Sequence, residues 1–164
     1  MTKTFSTLAD LTQDPRNARK HGERNIGQIE KSLEQYGAAR SIVVDEDGRV
    51  LAGNGLVEAA ASVGILRVRT VEANGNEIIA VVRRGLTEQQ KLGLSIADNR
   101  TSELADWDPA VLADLSADID LTAFWSADEL TALLAPDDAA EEQEQANEKK
   151  AVECPSCGHK FQPS

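Results

Sequence analysis

The stretch RVLAGNGLVEAAASVG, residues 49–64, constrains this chain more than any other. A strand-forming run meets Gly53-Asn54-Gly55 and passes at once into an alanine-rich, helix-forming segment. Strand and helix abut with no long loop between them, and glycine is the residue that turns a backbone so tightly. The same junction leaves backbone amides bare at the positive end of a helix, where an anion binds well. The spacing is neither a Walker A loop nor the full dinucleotide fingerprint. From these residues alone, the glycines either serve the turn or cradle a phosphate.

The rest of the chain supplies elements of matching size. Residues 4–11 read as a short opening strand and a turn. TQDPRNARKHGERN, with Pro15 and Gly22, reads as a loop. Ile26, Ile29 and Leu33 share one face at i, i+3, i+7, which predicts a helix with Asn25 as N-cap and Gly37 as its stop. SIVVD and RVLAG flank Glu46-Asp47-Gly48 and predict a hairpin. A helix over 56–63 follows and ends at Gly64. RVRTVEA and EIIAVVRR, on either side of Asn74-Gly75-Asn76, predict two further strands. Thr87 with Gln90 makes a capping box and opens a helix to about Asn99. Asp108 and Ser126 cap two short helices, near 109–115 and 127–134. The expected fold is α/β (α+β): a small mixed sheet flanked by helices, with a helical C-terminal extension. The expected boundaries are a domain over 1–104, the extension over 105–135, an acidic linker over 136–153 and a tail over 154–164.

Charge is distributed unevenly. Residues 1–100 carry a net +1, residues 101–148 a net -14 without any Lys or Arg, and residues 149–164 a net +2. An acidic whole disfavours non-specific nucleic-acid binding. The near-neutral first part nevertheless holds a local basic cluster of Arg16, Arg19, Lys20, His21 and Arg24. No apolar run reaches membrane-spanning length, and the first residues lack a secretory pattern. A cytoplasmic protein with no membrane partner is expected.

Three stretches offer chemistry, each with a plain structural alternative. The first is the 53–55 turn. The second is SIADNRTSELADWD, where Asp98 and Asn99 can coordinate a hard divalent cation and Arg100 can hold phosphate. The plain alternative is a helix C-terminus, where Asn and Arg serve as terminators and dipole partners. The third is DPRNARKH, whose cations reach phosphates or simply lie in water. His21 has no nucleophile beside it in sequence, so no triad can be argued. Trp107, among acids, reads as a packing anchor.

Together these stretches resemble the ParB/sulfiredoxin-like domain, and most closely the free-standing ParB-like nuclease-domain proteins of phages and mobile elements. DPRNARKH stands where the family has its Asn-Pro-x-x-x-Arg loop. QIEKSLEQYGAARSIVVDEDGRVLAGN follows the family's helix, strand, hairpin and glycine turn. LSIADNRTSELADWDPAVLADL resembles its Ala-Asp-Asn-Arg…Trp-Asp segment. The resemblance runs over about residues 5–134. It implies a nucleotide or phosphate pocket at Gly53, Asn54 and Gly55, with Arg19 from the first loop and Asp98, Asn99 and Arg100 around it. It also implies Mg²⁺ near the acid-Asn pair, since ParB proteins bind and hydrolyse CTP there. Two departures stand out. Leu56 occupies the position of the family's Gly-x-x-Arg arginine, and the turn has no cysteine, which argues against sulfinic-acid repair. No helix-turn-helix is evident after Leu104, which argues against centromere-type partitioning.

The tail CPSCGHKF looks like half of a zinc ribbon. Cys154 and Cys157 at CxxC spacing suit Zn²⁺, with His159 as a third ligand or a second chain's cysteines completing the set. The leading expectation is a nucleotide- or DNA-binding accessory protein of a phage or mobile element, linked to DNA modification. Its expected partners are a nucleoside triphosphate or DNA, a DNA methyltransferase or other mobile-element protein, and a second copy in a homo-oligomer. A Mg²⁺-dependent nuclease or NTPase and a protein-interaction adaptor are the alternatives.

Overall fold

The computed structural model describes residues 4–135 and two further strand segments, Val152–Glu153 and Lys160–Phe161. The chain divides into two compact units, Met1–Ile119 and Asp120–Ser164. In the first unit the elements are β1 (Thr12–Gln13), β2 (Arg19–Lys20), α1 (Glu23–Tyr36), β3 (Val43–Val44), β4 (Arg49–Ala52), α2 (Asn54–Ser62), α3 (Glu88–Glu103), β5 (Asp106–Trp107) and α4 (Pro109–Leu115). This is the mixed α+β architecture expected from the sequence, with one three-stranded and one two-stranded sheet.

β4 is the centre of the larger sheet. It runs parallel to β1, with Thr12 opposite Arg49, and antiparallel to β3, with Val44 opposite Val50. The hairpin around Glu46-Asp47-Gly48 is as predicted. Gly48 takes φ +93°, and the Asp45 carboxylate accepts from the Arg49 amide at 2.8 Å. Val50 is fully buried. β2 and β5 pair antiparallel, with Arg19 opposite Trp107, so the loop predicted over residues 12–25 contains two short strands.

α1 and α2 pack through Leu33, Ala59 and Ala60, with Ile26, Ile29 and Leu56 against them. The stripe at 26, 29 and 33 is therefore the buried face of α1. Burying a leucine such as Leu33 contributes about 1.5–3 kcal/mol. Small alanines on α2 let the two backbones approach. α3 approaches α1 in the same way: a methyl at Gly93 would collide with the Tyr36 ring. Gly37 ends α1 with φ +72°, and the Arg83 guanidinium donates to Tyr36 O, the last carbonyl of α1, and to Ala38 O just beyond it, each at 2.6 Å.

Several boundaries differ from the sequence reading. α1 begins at Glu23 with Gly22 as N-cap, so Asn25 lies inside the helix and is buried. α3 continues to Glu103, so Asp98 and Asn99 lie inside the helix and Arg100 in its last turn. The predicted strands at 67–73 and 77–84 do not form ladders. Residues 66–70 are held by residues 5–8, through the Thr7–Arg67 bridge and the Leu8 amide on Leu66 O at 2.8 Å. There the Thr70 hydroxyl bonds both the Phe5 amide and the Phe5 carbonyl, taking the place of backbone partners. Beyond them Ile78 and Val82 stay exposed, and a cavity of about 750 Å³ lies beside Val43, Val44, Val81 and Val82.

In the second unit Asp120 caps a 3-10 turn (Leu121–Ala123), and Ser126 caps α5 (Ala127–Leu134) with Glu129 completing the box. β6 (Val152–Glu153) and β7 (Lys160–Phe161) pair antiparallel. Both short helices, Pro109–Leu115 and Ala127–Leu134, match their predicted limits and caps. Among the described residues no helix is long and apolar enough to cross a membrane.

Candidate phosphate site at the glycine turn

Gly53 sits at the junction of β4 and α2 with φ +99°. That left-handed backbone favours glycine, and space demands it as well: a Cβ there would lie 2.6 Å from Ile42 Cγ2. The first α2 bond, Val57 amide to Gly53 carbonyl, measures 3.1 Å. No side chain caps α2, whereas Thr87, Asp108 and Ser126 each cap theirs. The first amides of α2 therefore retain their donor capacity.

Asn54 is buried, and its side chain is engaged in holding the turn. Its amide donates to Val50 O and its carbonyl accepts from the Asp14 amide, both at 3.3 Å. Asn54 thus ties the first loop to the strand end. Gly55 meets that loop directly. A Cβ on Gly55 would fall 2.7 Å from His21 Nδ1 and 2.8 Å from Cε1 and Cγ. The imidazole rests against the bare α-carbon, so His21 joins the turn.

His21 is held from its other side. Its Nδ1 lies 2.7 Å from Asn25 Oδ1, and the Asn25 amide donates to Thr101 O at 2.7 Å. Asn25 is 1% exposed. The sequence reading passed over His21 for want of a neighbouring nucleophile and took Asn25 for a cap. One signal was present: Asn25, Ile29 and Leu33 recur at i, i+4 and i+8, placing a polar amide on the apolar face of α1.

The remaining predicted residues have other partners. Arg19 donates to Ser102 O at 2.7 Å, and its guanidinium lies 4.7 Å from the Trp107 ring centroid. Asp98 pairs with Arg40 at 3.0 Å, and Arg40 also reaches the Ser102 hydroxyl. The Asn99 amide bonds back to Ser95 O at 3.1 Å. Arg100 pairs with Glu103 at 2.8 Å. The other loop cations face the 106–118 region: Lys20 pairs with Asp108, and Arg16 with Asp114 and Asp118. The Lys20 bond, followed by the Val111 amide, holds the Asp108 carboxyl below its ordinary value. Gly53, Asn54, Gly55 and His21 therefore form one cluster. Arg19, Asp98 and Arg100 make their contacts along the last turns of α3, and Asn25 connects the two through Thr101. Leu56, at the family's arginine position, packs on the Leu33, Ala59 and Ala60 cluster.

The donor set does not suit a resident Mg²⁺. Asp98 is committed to Arg40, Asn99 to its own helix, and no group of three His, Cys, Asp or Glu residues able to hold a metal occurs among the described residues. Cys154, Cys157 and His159 lie outside the described residues.

Over 87 residues, 53% of its length, the chain is 31% identical to the ParB-like nuclease domain-containing protein YnaK of Escherichia coli (strain K12). The match covers 88% of that protein. No family model matches the chain. No solved structure matches it either.

Proposed function

This chain belongs to the ParB-like nuclease domain family, and on that premise we propose that it binds the phosphates of nucleic acid or of a nucleoside triphosphate at the 53–55 turn. The observation that carries the reading is the uncapped start of α2 behind a left-handed glycine, with the first loop seated on it through Asn54 and His21. Arg19, Asp98, Asn99 and Arg100 would reach a ligand only after giving up their present partners. Mg²⁺ accordingly enters with a triphosphate rather than as a resident ion. The setting is that of an accessory protein of a phage or mobile element in the cytoplasm, working beside DNA-modifying enzymes such as a methyltransferase.

The test is binding by the full chain to a fluorescent DNA oligonucleotide and to each of the four nucleoside triphosphates, with and without Mg²⁺, at two salt concentrations. Wild type binds one of them, and added salt weakens DNA binding. Gly55→Val removes the binding because its side chain enters the space of the His21 ring. If wild type binds none at millimolar concentration, the glycines serve only the turn and the adaptor reading takes over.

A separate reading concerns the tail. Antiparallel pairing of β6 with β7, on either side of Cys154, Cys157 and His159, favours Zn²⁺ held by two thiolates and an imidazole. Purified protein then contains zinc, and Cys→Ser at both positions removes it. About one zinc per two chains identifies a site shared in a homo-oligomer. Protein that takes up no added zinc rules the site out.

A further inference from the structure

The Thr101 carbonyl can only accept a hydrogen bond, so the Asn25 atom facing it is the amide nitrogen. The Asn25 atom facing His21 is then the oxygen, which also only accepts. His21 Nδ1 must therefore carry the proton. In the neutral ring this leaves Nε2 bare, and it meets no partner among the described residues. One backbone carbonyl on α3 thus sets the tautomer of a histidine on the first loop, through an asparagine that water does not reach.

A bare Nε2 lone pair is a poor neighbour for a phosphate oxygen, because both are acceptors. It suits a group that brings a proton, such as a water molecule poised beside the phosphate. We infer that His21 is the general base of this site for phosphodiester hydrolysis, and that Asn25 is its positioning residue. In this step Nε2 takes a proton from water as the water oxygen bonds to phosphorus. The bond from phosphorus to the departing sugar oxygen breaks, and its electron pair leaves with that oxygen. The imidazolium or solvent then returns a proton to it. The Gly55 α-carbon seats the ring, through Nδ1, Cε1 and Cγ, beside the first turn of α2, whose side-chain-uncapped amides are the proposed phosphate donors. The assignment rests on the proposed phosphate site but is separable from it, since a protein can bind DNA without cutting it.

The experiment has two arms. The chain contains two histidines, so a nitrogen spectrum of ¹⁵N-histidine-labelled protein is simple, and His21→Gln assigns it. With the ring neutral, His21 shows the Nδ1–H pattern in wild type and moves toward Nε2–H in Asn25→Ala. The second arm follows cleavage and binding of a labelled DNA oligonucleotide by the full chain. Wild type cuts it. His21→Gln still binds it, and at saturating DNA cuts about 10²–10⁴-fold more slowly than wild type. Asn25→Ala lowers kcat about tenfold, the worth of one hydrogen bond, with KM unchanged. Should Asn25→Ala fail to fold, the wild-type tautomer and the His21→Gln rate still decide the matter. An Nε2–H pattern in wild type overturns the inference, as does cleavage by His21→Gln at the wild-type rate. Binding without cleavage by wild type overturns it and leaves the phosphate site standing. Loss of both binding and cleavage in wild type overturns the two together.

Discussion

Asn25 Oδ1 lies 2.7 Å from His21 Nδ1, across the boundary between the first loop and α1. The bond is local in sequence but non-local in effect, because Asn25 spends its other hydrogen-bonding group on Thr101, 76 residues away. Replacing Asn25 by alanine strands the Thr101 carbonyl and the His21 N–H together. The expected cost is about 1–3 kcal/mol for each group left unpaired. Urea unfolding of Asn25→Ala measures it. Adding His21→Ala should cost less than the sum of the two single changes, and strict additivity would mean that the pair does not couple.

The two glycines of the turn should differ in kind when changed to alanine. Gly53→Ala meets both a left-handed backbone, worth about 1–2 kcal/mol, and the Ile42 methyl. Gly55 has helical geometry, so Gly55→Ala meets only the His21 ring and should cost about 1–3 kcal/mol as overpacking. Removing the ring should relieve the second cost in Gly55→Ala/His21→Ala and leave the first unchanged in Gly53→Ala/His21→Ala. Thermal unfolding of the four variants checks this.

Arg19 and Trp107 are neighbours across the β2–β5 pair as well as in their stacked side chains. A double-mutant cycle with Arg19→Met and Trp107→Leu should give a coupling of about 0.5–1 kcal/mol. A coupling indistinguishable from zero would show that Arg19 acts through Ser102 alone.

Acid should destabilise the first unit through Asp10, Asp45 and Asp108. Each carboxyl is held below the ordinary value of 3.8, by the Ser6 and Thr7 amides, by the Arg49 amide and by Lys20 respectively. A depressed folded pKa means stability that is complete above the unfolded value and lost as pH falls through the folded one. The urea midpoint should thus hold steady near neutrality and fall below about pH 4. Asp108→Asn should flatten that fall, and an unchanged slope would remove Asp108 from the account.

Leu33 anchors the α1–α2 interface. Leu33→Ala should cost about 2–5 kcal/mol by denaturant unfolding. A much smaller loss would mean that the helices collapse onto the space it leaves.

Local chemistry was legible in the residues themselves. Thr87, Asp108 and Ser126 announced their helices because a capping side chain bonds amides two or three residues away. The 53–55 turn and the Gly48 hairpin were equally plain, since positive φ is a property of single residues. The stripe at Ile26, Ile29 and Leu33 showed which face of α1 is buried. Tertiary structure alone decided the partners of long-range polar groups. Nothing near Arg19 names Ser102, nothing near Asp98 names Arg40, and nothing near Asn25 names Thr101. The strands expected at 67–73 and 77–84 failed for the same reason. Alternating valine and isoleucine state a preference for extended backbone, but a ladder also needs a partner strand. Here the Thr70 hydroxyl and the Arg83 guanidinium answer instead to Phe5 and the end of α1. The candidate site divides along that line. Its glycines are written in the sequence, while the histidine beside them became visible only when α3 brought a carbonyl to Asn25.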